Sequence, residues 1–313
     1  WTGSPLCHKF MEEKGMKDTH ELSEYFLENI TEMLSKKGVK TSGWQEVALH
    51  HSPEMNARIA PRFAGVYCWS TIGKRDVVPY TVANEGYDVI LCNVNNLYID
   101  LAYNPHKDEP GLTWGGYVNE FTSFNILPYN IYCSARENTA GEKNNLKTAG
   151  KGKIQLTEQS RPRIKGVQAQ LFSETIGSFD MVQYYVFPKI FGLVERGWNA
   201  YPEWSPVPND DKQALYEKAR AIYNAKIAEI ELPRLAADGF NFRVAQPGIK
   251  IVEGKLYANS PIPQAEIRYT TDGSEPTATS TLWEAPVDCS ATVVKAKLFY
   301  LGKESHTTDY KND

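Results

Sequence analysis

Four aromatic residues stand where strand-like segments of the sequence end, and the last two are each followed two positions later by a carboxylate. The aromatic residues are Trp44, Trp69, Tyr98 and Phe172, and the carboxylates are Asp100 and Glu174. Aromatic faces stack against the C–H faces of a sugar ring, and carboxylates accept hydrogen bonds from its hydroxyl groups. This combination predicts a saccharide-binding cavity.

Each of these residues also has a purely structural explanation. A single aromatic side chain more often packs in a core or at its rim than against a ligand. For Asp100 and Glu174 the structural explanations are a surface ion pair or a helix cap, and Glu174 stands where a helix is predicted to begin. Rings at equivalent positions after successive strands nevertheless favour a shared cavity over unrelated packing roles.

The elements that would position these residues alternate between strands and helices. We predict strands at 39–47, 64–69, 87–93 and 166–172, and helices at 19–37, 77–85, 179–196 and 210–230, the last ended by Pro233. Apolar strands that alternate with helices are typical of a parallel α/β fold, either a doubly wound sheet or a (β/α) barrel. The carboxyl ends of parallel strands open onto one cavity, so the aromatic and acidic residues are expected to meet there.

The pattern changes after residue 240. Short alternating segments at 248–257, 264–271 and 291–300 are separated by turn sequences such as Asp272-Gly273-Ser274. This pattern predicts a small antiparallel β-sandwich. We place the boundary between the two domains so that they comprise residues 1–243 and 244–313.

Composition argues against several other classes of protein. Lys and Arg number 34 against 38 Asp and Glu, so the net charge of −4 offers no basic excess for nucleic-acid phosphates. No apolar run has the length of a membrane span. The 5 cysteines lack CxxC spacing, and no glycine-rich phosphate-binding motif follows a strand. We therefore expect no metal, no cofactor, no nucleic-acid partner and no membrane span.

The motifs, taken in order, resemble those of the chitobiase-like β-N-acetylhexosaminidases of glycoside hydrolase family 20. The matching segments are Gly43-Trp44-Gln45-Glu46, Val66-Tyr67-Cys68-Trp69, Leu97-Tyr98-Ile99-Asp100, Glu109-Pro110-Gly111-Leu112-Thr113-Trp114, residues 166–175 and Glu195-Arg196-Gly197-Trp198. Residues 248–308 resemble the small β-sandwich appended to members of this family. The resemblance implies that residues 1–243 are the C-terminal half of a (β/α)8 TIM-type barrel.

The resemblance also implies an activity, the hydrolysis of terminal non-reducing N-acetylhexosamine (GlcNAc or GalNAc) with retention of configuration. In this family the 2-acetamido oxygen of the sugar attacks the anomeric carbon, so the substrate supplies the nucleophile. Tyr98 would then hydrogen-bond to the acetamido carbonyl, and Trp44 and Trp69 would enclose the acetyl group. Asp100 and Glu174 would bind hydroxyl groups at the far edge of the sugar.

Two further aromatic positions complete the implied site. Trp114 would stack on the leaving-group side. Phe172 stands where the family usually has a tryptophan, so the floor of the sugar site is expected to be narrower and to lack an indole N–H group.

One part of the family pattern is missing from the sequence. The general acid and the carboxylate that orients the acetamido nitrogen normally form an adjacent Asp-Glu pair in a His-x-Gly-Gly-Asp-Glu segment, which this sequence does not contain. Asp108-Glu109 lies in a polar loop and is not interpreted as that pair. The chain begins at a Trp-x-Gly-Ser-Pro stretch like the one that follows the pair in the family, so we expect the pair to belong to a preceding segment.

The chain alone is therefore expected to be inactive. A half barrel exposes a sheet edge, so we expect it to associate with the missing N-terminal half of the barrel or with itself. The alternative is a non-catalytic saccharide-binding protein on the same fold. A carbohydrate-binding role for the sandwich is disfavoured because Trp283 is its single tryptophan. Resemblance alone implies an extracytoplasmic location, whether periplasmic, cell-surface or secreted.

Overall fold

The structure, a computed structural model, describes residues 1–311, which pack as two compact units. The first unit comprises Trp1–Val94, Pro128–Tyr132 and Ala149–Gln168. The second comprises Asn95–Leu127, Cys133–Thr148 and the chain from Ala169 onward. These units are defined by packing, and the division into domains at residues 243 and 244 remains a prediction.

The first unit contains a parallel sheet of 4 strands. Val66, Val89 and Leu91 in this sheet are fully buried, as continuous apolar runs predict for strands that are covered on both faces. Neighbouring strands are parallel throughout, which confirms the predicted parallel α/β arrangement. In spatial order the strands are β1 (Thr41–Trp44), β2 (Phe63–Cys68), β3 (Val89–Leu91) and β4 (Ile164–Val167).

Helices precede and separate these strands. They are α1 (Pro5–Lys14), α2 (Thr19–Ser35), α3 (Pro53–Ile59) and α4 (Val78–Asn84). The Asp18 side chain caps α2 by accepting hydrogen bonds from the backbone N–H groups of His20 and Glu21 at 2.9 and 3.0 Å. Gly38, with a φ of 71°, follows the end of the helix, so the local signals that predicted this helix are confirmed.

The remaining helices differ from the predicted pattern in two places. They are α5 (Val94–Leu97), α6 (Glu120–Phe124), α7 (Phe179–Val186), α8 (Ile190–Trp198), α9 (Gln213–Lys226) and α10 (Leu232–Ala237). The single helix predicted at 179–196 is divided at Pro188 into α7 and α8. The prediction that Pro233 ends a helix is wrong, because a π-helical turn at Ile227–Glu231 leads into α10 and Pro233 lies in its first turn, where no N–H donor is needed. None of the helices within residues 1–311 has the length and apolar character needed to cross a membrane.

The C-terminal part of the second unit forms two antiparallel sheets. Alternate residues of β10 are buried, from Val294 to Tyr300, as the alternating sequence predicts. One sheet has 5 strands and the other has 3. The larger contains β7 (Glu266–Thr270), β8 (Thr281–Leu282), β10 (Val293–Tyr300), β11 (Lys303–Glu304) and β12 (Thr308–Lys311), and the smaller contains β5 (Gly248–Val252), β6 (Lys255–Asn259) and β9 (Val287–Asp288).

Candidate functional site

In the first unit, hydrogen bonds to the side chain of Gln45 connect the end of β1, which carries Trp44, to Trp69, which directly follows β2. The buried side-chain oxygen of Gln45 accepts hydrogen bonds from the backbone N–H groups of Trp69 and Ser70, each at 3.0 Å. The indole N–H of Trp69 donates to Glu46 at 3.1 Å, and Trp44 remains partly exposed. Sequence reasoning gave Gln45 and Glu46 no role, although two polar residues directly after the last residue of a strand could have indicated one.

In the second unit, Tyr98 contacts two of the other predicted aromatic residues. The ring centroid of Tyr98 lies 5.8 Å from that of Trp114 and 5.5 Å from that of Phe172. Tyr98 is buried, whereas Trp114 is 52% exposed and Phe172 is 40% exposed. Exposed faces of two rings around one buried tyrosine form an aromatic surface that a ligand can reach.

Tyr98 and Phe172 do not end regular strands, contrary to the prediction from the sequence. β3 ends at Leu91, and the short helix α5 intervenes before Tyr98, which pairs with Gln170 through an isolated parallel bridge. β4 likewise ends at Val167, several residues before Phe172. Single backbone hydrogen bonds continue past the regular strands, from Gln168 N–H to the Leu91 carbonyl and from Ile99 N–H to the Gln170 carbonyl, each at 2.9 Å, so the sequence placed the two rings beyond the correct strands but in the wrong element.

Asp100 lies beside this aromatic surface and is only 4% exposed. Its Oδ1 atom is buried and has no hydrogen-bond partner among the described residues. Burial raises the pKa of Asp100, and the negative charge of Glu174 raises it further, whereas the backbone amide of Phe172 and the ammonium of Lys189 lower it. The structure thus brings Asp100, Phe172 and Glu174 together, as the sequence predicted.

Glu174 does not cap a helix. The next helix, α7, is capped by Ser178, whose hydroxyl accepts a hydrogen bond from the backbone N–H of Met181 at 3.2 Å. Glu174 is exposed and close enough to Asp100 for their charges to interact. The helix-cap explanation is therefore wrong, and the carboxylate is free of that role.

A fully buried lysine holds the backbone on both sides of Asp100. Lys189 Nζ donates hydrogen bonds to the carbonyl oxygens of Ile99 and Leu101 at 2.8 and 2.6 Å, and it lies 3.7 Å from the ring centroid of Tyr103. Burial lowers the pKa of Lys189 well below its ordinary value. Sequence reasoning missed this residue, although a single lysine within an apolar run is an identifiable signal.

A second buried carboxylate of this unit, Glu109, is fully paired. The Arg243 guanidinium donates to both of its oxygens at 3.0 to 3.2 Å, and the hydroxyl of Tyr184 donates to Oε1 at 2.8 Å. Burial disfavours the charged guanidinium, but Glu109 and Tyr184 more than offset this effect, so the pKa of Arg243 is raised. Neighbouring Asp108 is exposed and paired with Lys107. These contacts support the interpretation that Asp108-Glu109 is not a catalytic pair.

Comparison with protein families gives two matches that follow one another along the chain. The model of "Glycosyl hydrolase family 20, catalytic domain" matches residues 1–201. The model of "Chitobiase/beta-hexosaminidase C-terminal domain" matches residues 231–306. Together they cover the parallel sheet of the first unit and all strands of the antiparallel sheets of the second except β12.

Individual proteins give the same result. The chain is 28% identical over 287 residues to N,N'-diacetylchitobiase of Vibrio harveyi, covering 86% of this chain and 31% of that protein. It is 25% identical over 295 residues to a beta-hexosaminidase of Vibrio vulnificus, covering 87% of this chain and 34% of that protein. The chain therefore spans about a third of the length of these relatives.

A solved structure extends the likeness to the fold. The GH20 exo-beta-N-acetylglucosaminidase of Vibrio harveyi, crystallised in complex with N-acetylglucosamine, aligns with a TM-score of 0.51 at 23% identity. The alignment covers 78% of this chain and 30% of that one. At this identity the likeness supports a shared α/β fold and nothing finer.

Proposed function

The chain belongs to glycosyl hydrolase family 20, and from this premise we propose that it is the part of a β-N-acetylhexosaminidase that binds the terminal non-reducing N-acetylhexosamine. The observation that carries the proposal is the aromatic surface of Tyr98, Trp114 and Phe172 beside the unpartnered carboxylate oxygen of Asp100. The whole protein would hydrolyse oligosaccharides or glycoconjugates that end in GlcNAc or GalNAc.

Asp100 supplies the strongest polar contact in this proposal. A buried carboxylate oxygen without a hydrogen-bond partner costs on the order of 1–3 kcal/mol. A sugar hydroxyl that donates to Oδ1 would recover this cost, and the hydrogen bond would be charge-assisted. Glu174, exposed and in the same electrostatic neighbourhood, would accept a hydrogen bond from an adjacent hydroxyl group.

The aromatic residues divide the remaining contacts. The hydroxyl of Tyr98 would donate to the acetamido carbonyl and hold its oxygen in the orientation for attack on the anomeric carbon. Phe172 would form the floor of the sugar site, and Trp114 would stack on the leaving-group side. For Trp44 and Trp69, the proposed enclosure of the acetyl group rests on the family resemblance alone.

Retaining hydrolysis by this mechanism requires two more carboxyl groups. We propose that both come from a part of the protein outside this sequence, since the sequence contains no His-x-Gly-Gly-Asp-Glu segment and its relatives are about three times as long. Loss of a general acid slows a reaction by roughly a hundred- to ten-thousand-fold. The chain by itself should therefore bind the sugar without hydrolysing it at a useful rate.

Reconstitution with a chromogenic β-N-acetylglucosaminide tests this proposal. The purified chain is assayed alone and together with a segment of a family 20 relative that contains the Asp-Glu pair and the preceding half of the barrel. We expect no turnover from the chain alone and turnover from the mixture. Turnover by the chain alone would refute the assignment of the acid to another segment.

The alternative, a non-catalytic saccharide-binding protein, is favoured by one observation, the phenylalanine at position 172 where the family usually has tryptophan. It predicts that the chain binds N-acetylglucosamine and that adding the segment of a family 20 relative produces no turnover. A Phe172→Trp variant separates the two cases, because in a catalytic protein it should increase the turnover of the reconstituted mixture. A variant that binds the sugar more tightly but gains no turnover would favour the alternative.

A further inference from the structure

Two histidines and a glutamate of the first unit bring three potential ligand atoms together. The ligand atoms of His20, Glu24 and His51 all lie within 4.8 Å of one another. His51 Nδ1 lies 2.8 Å from Glu24 Oε1, and His20 Nε2 lies 3.5 Å from the same oxygen. Ligand atoms in a tetrahedral zinc site with bonds of about 2.0–2.1 Å are separated by about 3.3 Å, so these distances bracket the required value.

The hydrogen bond on the far side of the His51 ring orients it as a metal ligand. His51 Nε2 lies 3.1 Å from the carbonyl oxygen of Val47, which can only accept, so this nitrogen carries the proton. In a neutral ring Nδ1 then directs its lone pair at Glu24, which is also an acceptor. Two acceptors 2.8 Å apart require a proton or a cation that both can bind. A second ring nitrogen bonded to a backbone carbonyl is the usual support of a histidine ligand.

A further oxygen lies close to His20. The carbonyl oxygen of His50, which can only accept, is 3.1 Å from His20 Nε2, so this nitrogen carries the proton of the neutral ring, and an ion that binds here would displace that proton to Nδ1. His50 has a φ of 68°, a left-handed conformation that is uncommon for a residue with a side chain. This carbonyl oxygen, or a water molecule, could occupy a fourth position around an ion that binds the three side chains.

Helix α2 and the turn before α3 fix the three side chains. His20 and Glu24 lie one turn apart on the same face of α2. His51 directly precedes Ser52, the N-cap of α3, and its side chain is 5% exposed. The side chains of Glu24 and His20 are 26% and 46% exposed, so the group is anchored at His51 and open to solvent at His20.

The electrostatic surroundings compensate for one unfavourable feature. The N-terminus of a helix carries a partial positive charge, which opposes a bound cation. Asp18 and Glu21 lie in the same turn, and the carboxylate of Glu85 interacts electrostatically with His50 and His51. Lys17 pairs with Glu21 at 3.7 Å and offsets its charge, so the carboxylates that favour a cation at this position are those of Asp18, Glu24 and Glu85.

We propose that His20, Glu24 and His51 form a binding site for a divalent transition-metal ion, with Zn²⁺ as the best fit. Two imidazole nitrogens and one carboxylate oxygen form a ligand set that suits Zn²⁺ rather than the hard cations Mg²⁺ and Ca²⁺. The sequence predicted no metal because its cysteines lack the close spacing of metal ligands. Here the chain separates Glu24 from His51 by 27 positions, and only the fold brings them together.

Equilibrium dialysis of the untagged, chelator-treated chain against ZnCl2 tests the site. We expect one tightly held Zn²⁺ per chain, visible d–d absorption of tetrahedral type when Co²⁺ replaces it, and a rise in the midpoint of thermal unfolding. Binding should weaken at least tenfold in Glu24→Gln and in His20→Ala. The second variant changes a partly exposed side chain, so it should fold even if changes at buried His51 do not.

The matched control is His8→Ala, which removes an exposed histidine that directly follows the free cysteine Cys7 in the sequence. This variant should bind Zn²⁺ as the unmodified chain does. Loss of binding in His8→Ala with retention in His20→Ala would assign the ion to Cys7 and His8 and overturn the proposal. Absence of stoichiometric Zn²⁺ binding, or equal binding in Glu24→Gln and the unmodified chain, would overturn it as well.

Discussion

Asp100 and Glu109 are both buried carboxylates of the second unit, and their surroundings differ in one decisive respect. Glu109 receives hydrogen bonds from Arg243 and from Tyr184, so both of its oxygens are paired. Asp100 keeps a buried oxygen with no partner in the part of the chain that the structure describes. A carboxylate whose hydrogen bonds are complete stabilises the fold, whereas an incomplete one beside an aromatic surface is available to a ligand.

Lys189 sharpens this contrast. Its positive charge lowers the pKa of Asp100, yet its ammonium donates to the carbonyl oxygens of Ile99 and Leu101 and not to the carboxylate. The lysine therefore fixes the position of the backbone that carries Asp100 while leaving Oδ1 available. Arg243 does the opposite, because it uses its donors on the carboxylate itself.

The largest expected effect on stability follows from removing Arg243, the charged partner of Glu109. Arg243→Met leaves a fully buried carboxylate without a counter-charge, which should lower the free energy of unfolding by about 3–5 kcal/mol. Urea unfolding measures this change. Lys9→Met, which breaks an ion pair between two exposed side chains of α1, is the control and should cost no more than about 1 kcal/mol. Equal losses of unfolding free energy in the two variants would show that the Arg243–Glu109 pair stabilises the fold no more than an exposed ion pair does.

Lys189→Met should have an intermediate effect. It leaves two buried carbonyl oxygens without a donor, at about 1–3 kcal/mol each, but also removes a buried amine, so we expect a net loss of about 1–3 kcal/mol. Burial lowers the pKa of Lys189 in the folded state. At pH values between this lowered pKa and the ordinary value of 10.5, the unfolded chain therefore binds more protons than the folded chain. The unmodified protein should therefore gain stability relative to the variant as the pH rises toward that value. Urea unfolding at a series of pH values checks the sign, and a difference that shrinks with rising pH would be contrary to it.

Asp100→Asn should not destabilise the fold at neutral pH. Burial raises the pKa of Asp100 in the folded state above its ordinary value of 3.8. At pH values between the ordinary pKa and the raised pKa, the folded chain therefore binds more protons than the unfolded chain. The unmodified protein should lose stability relative to the variant as the pH rises through this window. Thermal unfolding of both proteins across the acidic range measures the difference, and a variant that is less stable at every pH would show that Asp100 is structural.

Trp114→Ala should have the smallest effect on stability. The ring is half exposed, so its removal should change the free energy of unfolding by no more than about 0.5 kcal/mol. The same change should weaken binding of a chitobiose-type disaccharide more than binding of N-acetylglucosamine, because the ring is assigned to the leaving-group side. Titration of the variant with both sugars checks this, and equal weakening would place the ring at the terminal sugar instead.

The sequence predicted those features that depend on neighbouring residues. The N-cap at Asp18 and the glycine after α2 were readable because capping acts within one turn. The apolar runs of β2 and β3 were readable because strands covered on both faces need them. Tyr98 was assigned to a strand because α5 is too short for a helical period to appear in the sequence.

Contacts between distant parts of the chain could not be predicted in the same way. Glu109 and Arg243 are 134 positions apart, and Ile99 and Lys189 are 90 apart, so no local pattern links them. The contrast between Asp100 and Glu109 is therefore visible only in the structure. The aromatic and acidic residues were singled out from the sequence by their types, and their role in sugar binding remains a prediction.

The central claim is that Asp100 binds a terminal N-acetylhexosamine, and calorimetric titration with N-acetylglucosamine tests it most directly. The unmodified chain should bind the sugar, and Asp100→Asn should bind it at least about tenfold more weakly because a charge-assisted hydrogen bond is lost. The same variant should keep its stability, so the loss cannot arise from unfolding. Equal affinity in the two proteins, or no binding by the unmodified chain, would contradict the claim.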